Sequence, residues 1–204
     1  MDEMRRKPSI GLVVFDYDGT LVLSNELKHD GFRPLFPKGP ELDRFVDETL
    51  NRRYALSSRY QIIAEILGRM GEVIGDPMTD PKVLELAELY NQNVTHGAAT
   101  CAELPGATRC LEGLKGNIPM VLLSATPEKS LQEIIRIRNW GHFFEEVLGY
   151  PRYKPDELAR LMKQFGVSSD ATLMVGDSDL DERAATENKV PFWDIRKNAN
   201  LLDL

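Results

Sequence analysis

Apolar residues fall into two rhythms along this chain. Ile10–Phe15 (IGLVVF), Pro119–Ser124 (PMVLLS) and Ala171–Gly176 (ATLMVG) are short and almost continuously apolar. Runs without polar alternation, rich in β-branched residues, predict strands covered on both faces. Glu145–Gly149 and Val190–Asp194 are weaker candidates. Between the runs the spacing becomes helical. In TPEKSLQEIIRIRNW, Thr126 reads as an N-cap with Pro127 in the first turn. PDELARLMKQFG opens on proline and acids and stops at Gly166, and DLDERAATEN is a third helix. Strands alternating with helices predict an α/β fold built on a parallel sheet with helices on both faces.

From about Leu23 to about Ala102 the strand rhythm stops. ELDRFVDETLNRRYA, SRYQIIAEILGRMG and PKVLELAELYNQNV are helical patterns separated by Pro- and Gly-containing turns. ELPGATRCLEGLKGN then returns to the α/β pattern. The expected division is a core of residues 1–22 and 103–204, with an all-helical cap inserted at 23–102.

Each strong strand ends in polar chemistry. The first runs into Asp16-Tyr17-Asp18-Gly19-Thr20, the second into Ser124, the third into Gly176-Asp177-Ser178-Asp179-Leu180-Asp181. Open α/β sheets bind ligands at the carboxyl ends of their strands. Carboxylates crowded at such a rim repel one another and call for a cation. Hard oxygen ligands suit Mg²⁺. Plainer readings exist for each piece. Asp18-Gly19 could be a turn, Asp177 or Ser178 a helix cap, and Asp179 and Glu182 solvated helix-start acids. Lys154, just before Pro155 at a helix start, is a poor cap and opposes the helix dipole unless it faces an anion cluster.

Composition narrows the partners. The 204 residues carry a net charge of −7, which speaks against neutralising nucleic-acid phosphates. Cys101 and Cys110 lack metal-ligand spacing and read as incidental thiols in a reducing compartment. The basic residues near Met1 precede an apolar run that is too short for a signal segment and is interrupted by Asp16. No stretch is long enough to span a membrane. A cytoplasmic monomer or homodimer, with no nucleic-acid or membrane partner, is the expectation.

Taken together, these residues resemble the haloacid dehalogenase (HAD) superfamily, in its phosphatase branch with a helical cap, the group of phosphoglycolate phosphatase and β-phosphoglucomutase. FDYDGTLV is similar to the first family motif, VLLSATP to the second, KPDEL to the third and GDSDLD to the fourth, in the same order. The resemblance implies a Rossmann-like, HAD-like core and an aspartyl-phosphate mechanism. Asp16 would be the nucleophile and Asp18 the general acid and base. Mg²⁺ would be held by Asp16, the main-chain carbonyl of Asp18 and Asp177, with Asp181 as ligand or orienter. Gly19 would expose backbone N–H groups, Thr20 would brace the loop, and Ser124, Ala125 and Lys154 would surround the phosphate. Ala125 replaces a frequent Asn, which leaves Ser124 or Thr126 as the phosphate hydroxyl; Ser124 is preferred because Thr126 caps a helix. A frequent glycine late in the helix after the fourth motif is replaced around Asn188, which tolerates a left-handed backbone.

Arg59 and Lys28 are the candidate substrate contacts in the cap, with His29, Arg33 and Tyr60 beside them; a solvated helix face is the competing reading for Arg59. The expected activity is hydrolysis of a small phosphorylated metabolite, such as phosphoglycolate, a sugar phosphate or a nucleoside monophosphate. The alternatives are a mutase of β-phosphoglucomutase type, a phosphonate hydrolase using Lys28, and a non-catalytic binding module. A carbon–halogen hydrolase is disfavoured, because it has no use for Asp18 or the metal acids.

Overall fold

The computed structural model describes residues 9–53 and 57–204. The predicted helix end at Tyr54–Ala55 and the residues before Ser9 lie outside the described residues. The elements run in the order β1 (Leu12–Phe15), α1 (Leu27–Asp30), α2 (Pro40–Arg53), α3 (Arg59–Arg69), α4 (Pro81–Thr100), α5 (Ala107–Leu114), β2 (Met120–Pro127), α6 (Glu128–Ile137), β3 (Glu146–Tyr150), α7 (Lys154–Phe165), β4 (Thr172–Gly176), α8 (Asp179–Asn188) and β5 (Phe192–Asp194). The chain forms two compact units: one of residues up to Ser24 together with Ala99–Leu204, the other Asn25–Ala98.

Among the described residues the larger unit holds a five-stranded sheet in the order β3-β2-β1-β4-β5, every neighbouring pair parallel. The chain winds outward from β1 to β3, then crosses β1 to build β4 and β5. The three strong apolar runs therefore become the three central strands, and their carboxyl ends meet where the winding reverses. Val14 pairs with Val121 on one side and Met174 on the other. Leu12 and Val14 pack with Val121, Leu123, Met174, Leu158, Leu161 and Ala184 on one face. Val13 and Phe15 are equally buried on the other, which explains the lack of polar alternation.

Helix ends follow local chemistry with two corrections. Helix α7 carries Asp156 and Glu157 in its first turn and stops at Gly166, φ 65°. Helix α8 starts in a reciprocal capping box between Ser178 and Asp181. The left-handed residue after α8 is Lys189, φ 56°, rather than Asn188. Asn188 instead donates its side-chain N–H to the carbonyls of Pro155 and Ala184, tying α8 to α7. The residue before α6 is Pro127, with no side-chain cap, so Thr126 is not the N-cap.

The smaller unit is helical. Ile62, Ile63, Ile66 and Leu67 line one face of α3 and pack with Val46, Leu50, Val83, Ala87 and Phe32. Ser58 caps α3 in a capping box with Gln61. Among the described residues no helix is long and apolar enough to cross a membrane.

Strand β2 is irregular near its end, its register against β3 shifting between Leu123 and Pro127. Gly149 on β3 accommodates this irregularity. A Cβ there would lie 2.5 Å from Glu128 Cα and 2.6 Å from the Thr126 carbonyl oxygen, both backbone atoms. Gly149→Ala is therefore expected to lower stability by about 1–3 kcal/mol in urea unfolding. An unchanged midpoint would show that β3 can move away from the bulge freely.

Candidate active site

Asp16 is still part of the sheet, its N–H donating to the Val175 carbonyl at 2.9 Å. The side chain is buried at the strand end. The chain then turns through Gly19, φ 71°, a conformation that favours glycine. The Gly19 N–H closes the turn on the Val22 carbonyl at 2.9 Å. The Thr20 hydroxyl donates to Asp177 Oδ1 at 3.3 Å.

Lys154 is the first residue of α7 and is 2% exposed. Its Nζ lies 2.8 Å from Asp16 Oδ1 and 2.6 Å from Asp181 Oδ1. Asp181 is fully buried, and its second oxygen accepts from the Ser178 N–H at 3.0 Å and hydroxyl at 2.6 Å. Both Asp181 oxygens are thus engaged. Gly176 makes room for this: a Cβ would stand 2.4 Å from Asp181 Cγ. Asp16 Oδ1 has the Lys154 ammonium as its ion-pair partner.

Burial pushes the Asp16 carboxyl up to about 7; Lys154 pulls it back, while Asp181 and Asp18 push it further. For Lys154, burial opposes the charge, and the carboxylates of Asp16 and Asp181 outweigh it and hold its pKa above the usual lysine value.

Among the described residues, Asp16, Asp177 and Asp181 offer carboxylate oxygens that lie within 4.8 Å of one another. The donor set is all hard oxygen and two of its three carboxylates are buried, so the cluster fits a hard divalent cation. The Asp18 carboxylate is not in this group. Its Oδ1 accepts the Ser24 hydroxyl at 2.5 Å and its Oδ2 the Thr126 hydroxyl at 2.6 Å. Ser124 is buried, and its Oγ accepts the Thr126 N–H at 3.1 Å, which leaves the hydroxyl proton for a further acceptor. Ala125 is exposed. Asp179 and Glu182 both pair with Arg196, Asp179 with its side chain in solvent.

Sequence reading did not single out Ser24 or Arg138. Arg138 Nε donates to the Tyr17 hydroxyl at 2.8 Å, and its Nη2 to the Cys101 carbonyl at 2.5 Å. It thereby anchors the residue between the two aspartates. Tyr17 is buried, and its partner lies 121 positions away in the sequence. Cys101 and Cys110 are not joined by a disulfide.

Within the 25–98 unit, Lys28 and Arg59 line one cavity of about 440 Å³ with Ser57, Ser58, Tyr60 and Tyr90. Arg59 is not a freely solvated arginine. Its Nε is buried without a hydrogen-bond partner, and its guanidinium lies 5.2 Å from the Tyr60 ring centre. The other basic candidates are committed to local pairs, His29 with Asp30 and Arg33 with Asp47. Arg52 and Arg53 both pair with Glu65.

This fold and this acid–lysine cluster define a HAD-type hydrolase. The model of the haloacid dehalogenase-like hydrolases matches residues 10–187, and the chain belongs to that family. Phosphoglycolate phosphatase 1 of Pseudomonas aeruginosa is 26% identical over 190 residues, covering 85% of this chain. The chain spans 65% of that relative's length. Pyrophosphatase PpaX of Bacillus cereus is 23% identical over 203 residues, covering 94% of this chain and 88% of the relative. A Geobacter sulfurreducens HAD-superfamily hydrolase of subfamily IA shares the fold with a TM-score of 0.62 at 17% identity, covering 92% of this chain and 88% of its own.

Two measurements test this electrostatic arrangement. Lys154→Met leaves two buried carboxylates without their cation and is expected to cost about 3–5 kcal/mol in urea unfolding; a loss under 1 kcal/mol would mean that the pair contributes little. Without divalent metal, the raised Asp16 pKa makes its ionisation oppose folding. Its stability contribution is full below the unfolded value of about 3.9 and is lost as pH rises through about 7. Thermal midpoints in EDTA should fall across that window, and added Mg²⁺ should reverse the fall at its upper end. Midpoints that stay flat with pH would contradict the burial penalty on Asp16.

Proposed function

We propose that the chain is a Mg²⁺-dependent phosphomonoester hydrolase acting on a small phosphorylated metabolite through a phosphoryl group carried on Asp16. The observation that supports it most is Lys154 between Asp16 and Asp181, beside the cluster of Asp16, Asp177 and Asp181. Such an arrangement favours the ionised, nucleophilic form of a carboxylate that burial alone would neutralise. The relatives named as phosphoglycolate phosphatase and pyrophosphatase are consistent with phosphoryl chemistry.

In this reading an Asp16 oxygen attacks phosphorus and the bond to the leaving oxygen breaks. Asp18 gives that oxygen its proton. Asp18 then takes a proton from water, which attacks phosphorus and frees Asp16. Ser124 and Lys154 donate to the non-reacting phosphoryl oxygens. Mg²⁺ held by Asp16, Asp177 and the Asp18 main-chain carbonyl would supply positive charge against those oxygens. Asp181 acts as orienter, because Lys154 and Ser178 already occupy its oxygens. Gly19 shapes the turn and Thr20 holds Asp177. Lys28 and Arg59 are the proposed contacts for the rest of the substrate.

The test is phosphate release from a panel of phosphorylated metabolites, with Mg²⁺ and with EDTA. Metal-dependent release that is lost in Asp16→Asn by a factor of about 10³ or more is the expected outcome. Undiminished activity in that variant would refute the assignment. Turnover that requires a sugar bisphosphate, with no free phosphate, would indicate a mutase instead.

A further inference from the structure

We propose that Thr126 is the positioning residue of the general acid, fixing the Asp18 carboxyl for proton delivery to the leaving oxygen. This rests on the phosphatase reading above and deepens it.

Three features of this stretch aim Thr126. First, it sits at the irregular end of β2, where the register against β3 shifts between Leu123 and Pro127. Strand irregularities of this kind re-aim side chains. Second, the Thr126 N–H turns onto Ser124 Oγ at 3.1 Å. Third, Gly149 lets the β3 backbone close over this point, within reach of the Thr126 carbonyl oxygen. The outcome is a buried hydroxyl, 2.6 Å from Asp18 Oδ2, contributed from 108 positions away. No helix cap explains it, since α6 has no side-chain cap.

The choice of a hydroxyl matters chemically. An ammonium or amide N–H can only donate, so it would favour the ionised carboxylate and resist its protonation. A hydroxyl donates to the carboxylate and, by rotating, accepts from the carboxylic acid. The Thr126 contact therefore survives both protonation states that an acid–base residue passes through. Threonine is also stiff about χ1, so the hydroxyl holds its direction as the charge changes. Ser24 makes the equivalent contact on Oδ1. Of the two, Thr126 is carried by the sheet.

The discriminating readout is dependence on the leaving group. A poor leaving group, the alkoxide of an alkyl phosphate, needs the proton; 4-nitrophenolate hardly does. Thr126→Val keeps the shape and removes the hydroxyl, and Thr126→Ser keeps the hydroxyl. With Mg²⁺, the ratio of kcat/KM on an alkyl phosphate to kcat/KM on 4-nitrophenyl phosphate, which reports transfer to Asp16 and not the hydrolysis step shared by both substrates, should fall about 10–100-fold in Thr126→Val. Thr126→Ser should restore most of it. If Thr126→Val does not fold, Thr126→Ala and Thr126→Ser carry the same comparison. Equal loss on both substrates, no loss on either, or failure of serine to restore the ratio would overturn the proposal. Asp18→Asn separates the two readings. If it lowers the ratio and Thr126→Val does not, Thr126 is not the positioning residue and the phosphatase reading stands. If the wild type releases phosphate from neither substrate, or Asp18→Asn leaves the ratio intact, the reading of Asp18 as the acid fails first.

Discussion

One buried ammonium holds this site together. Lys154 stands between Asp16 and Asp181 in a place where all three are nearly sealed from water. Removing three charges from solvent is costly, and the attraction between them offsets that cost only with short, well-made contacts. The neighbourhood is built accordingly. Gly176 has no side chain where Asp181 must tuck in, Ser178 satisfies the second Asp181 oxygen, and α7 begins at the lysine itself. Asp16, Asp177 and Asp181 still offer carboxylate oxygens within 4.8 Å of one another, a charge excess that suits an incoming cation.

The sheet supplies the frame. Because β1 lies between β2 and β4, the segments after all three open onto one rim. The acidic loop, the hydroxyl-bearing strand end and the Asp177–Asp181 segment converge without any long connection having to reach. Tyr17 and Arg138 then pin the loop from beneath, and the Cys101 carbonyl joins the same guanidinium.

Much of this was legible in the sequence, for physical reasons. Continuous apolar runs have one comfortable place, a strand covered on both faces, and β1, β2 and β4 are found there. Lys154 stood out because a lysine opening a helix is electrostatically misplaced without an acidic partner. Gly166 ended α7 because glycine tolerates φ 65°. The failures were of another kind. Thr126-Pro127 carries a local signature of a helix start, but the Thr126 hydroxyl is engaged by Asp18, 108 positions away, at the irregular end of β2. Asn188 had a tertiary partner in the Pro155 carbonyl, and the left-handed position passed to Lys189. In each case the local pattern was real, and a contact made by folding overrode it.

The central claim is that Asp16 carries the phosphoryl group. It is tested most directly by acid-quenching the Mg²⁺-loaded enzyme during turnover and weighing its peptides by mass spectrometry. A phosphoryl group on the peptide containing Asp16, absent in Asp16→Asn, is the predicted result. Steady phosphate release with that peptide unmodified, or with the phosphoryl group on another side chain, would contradict it.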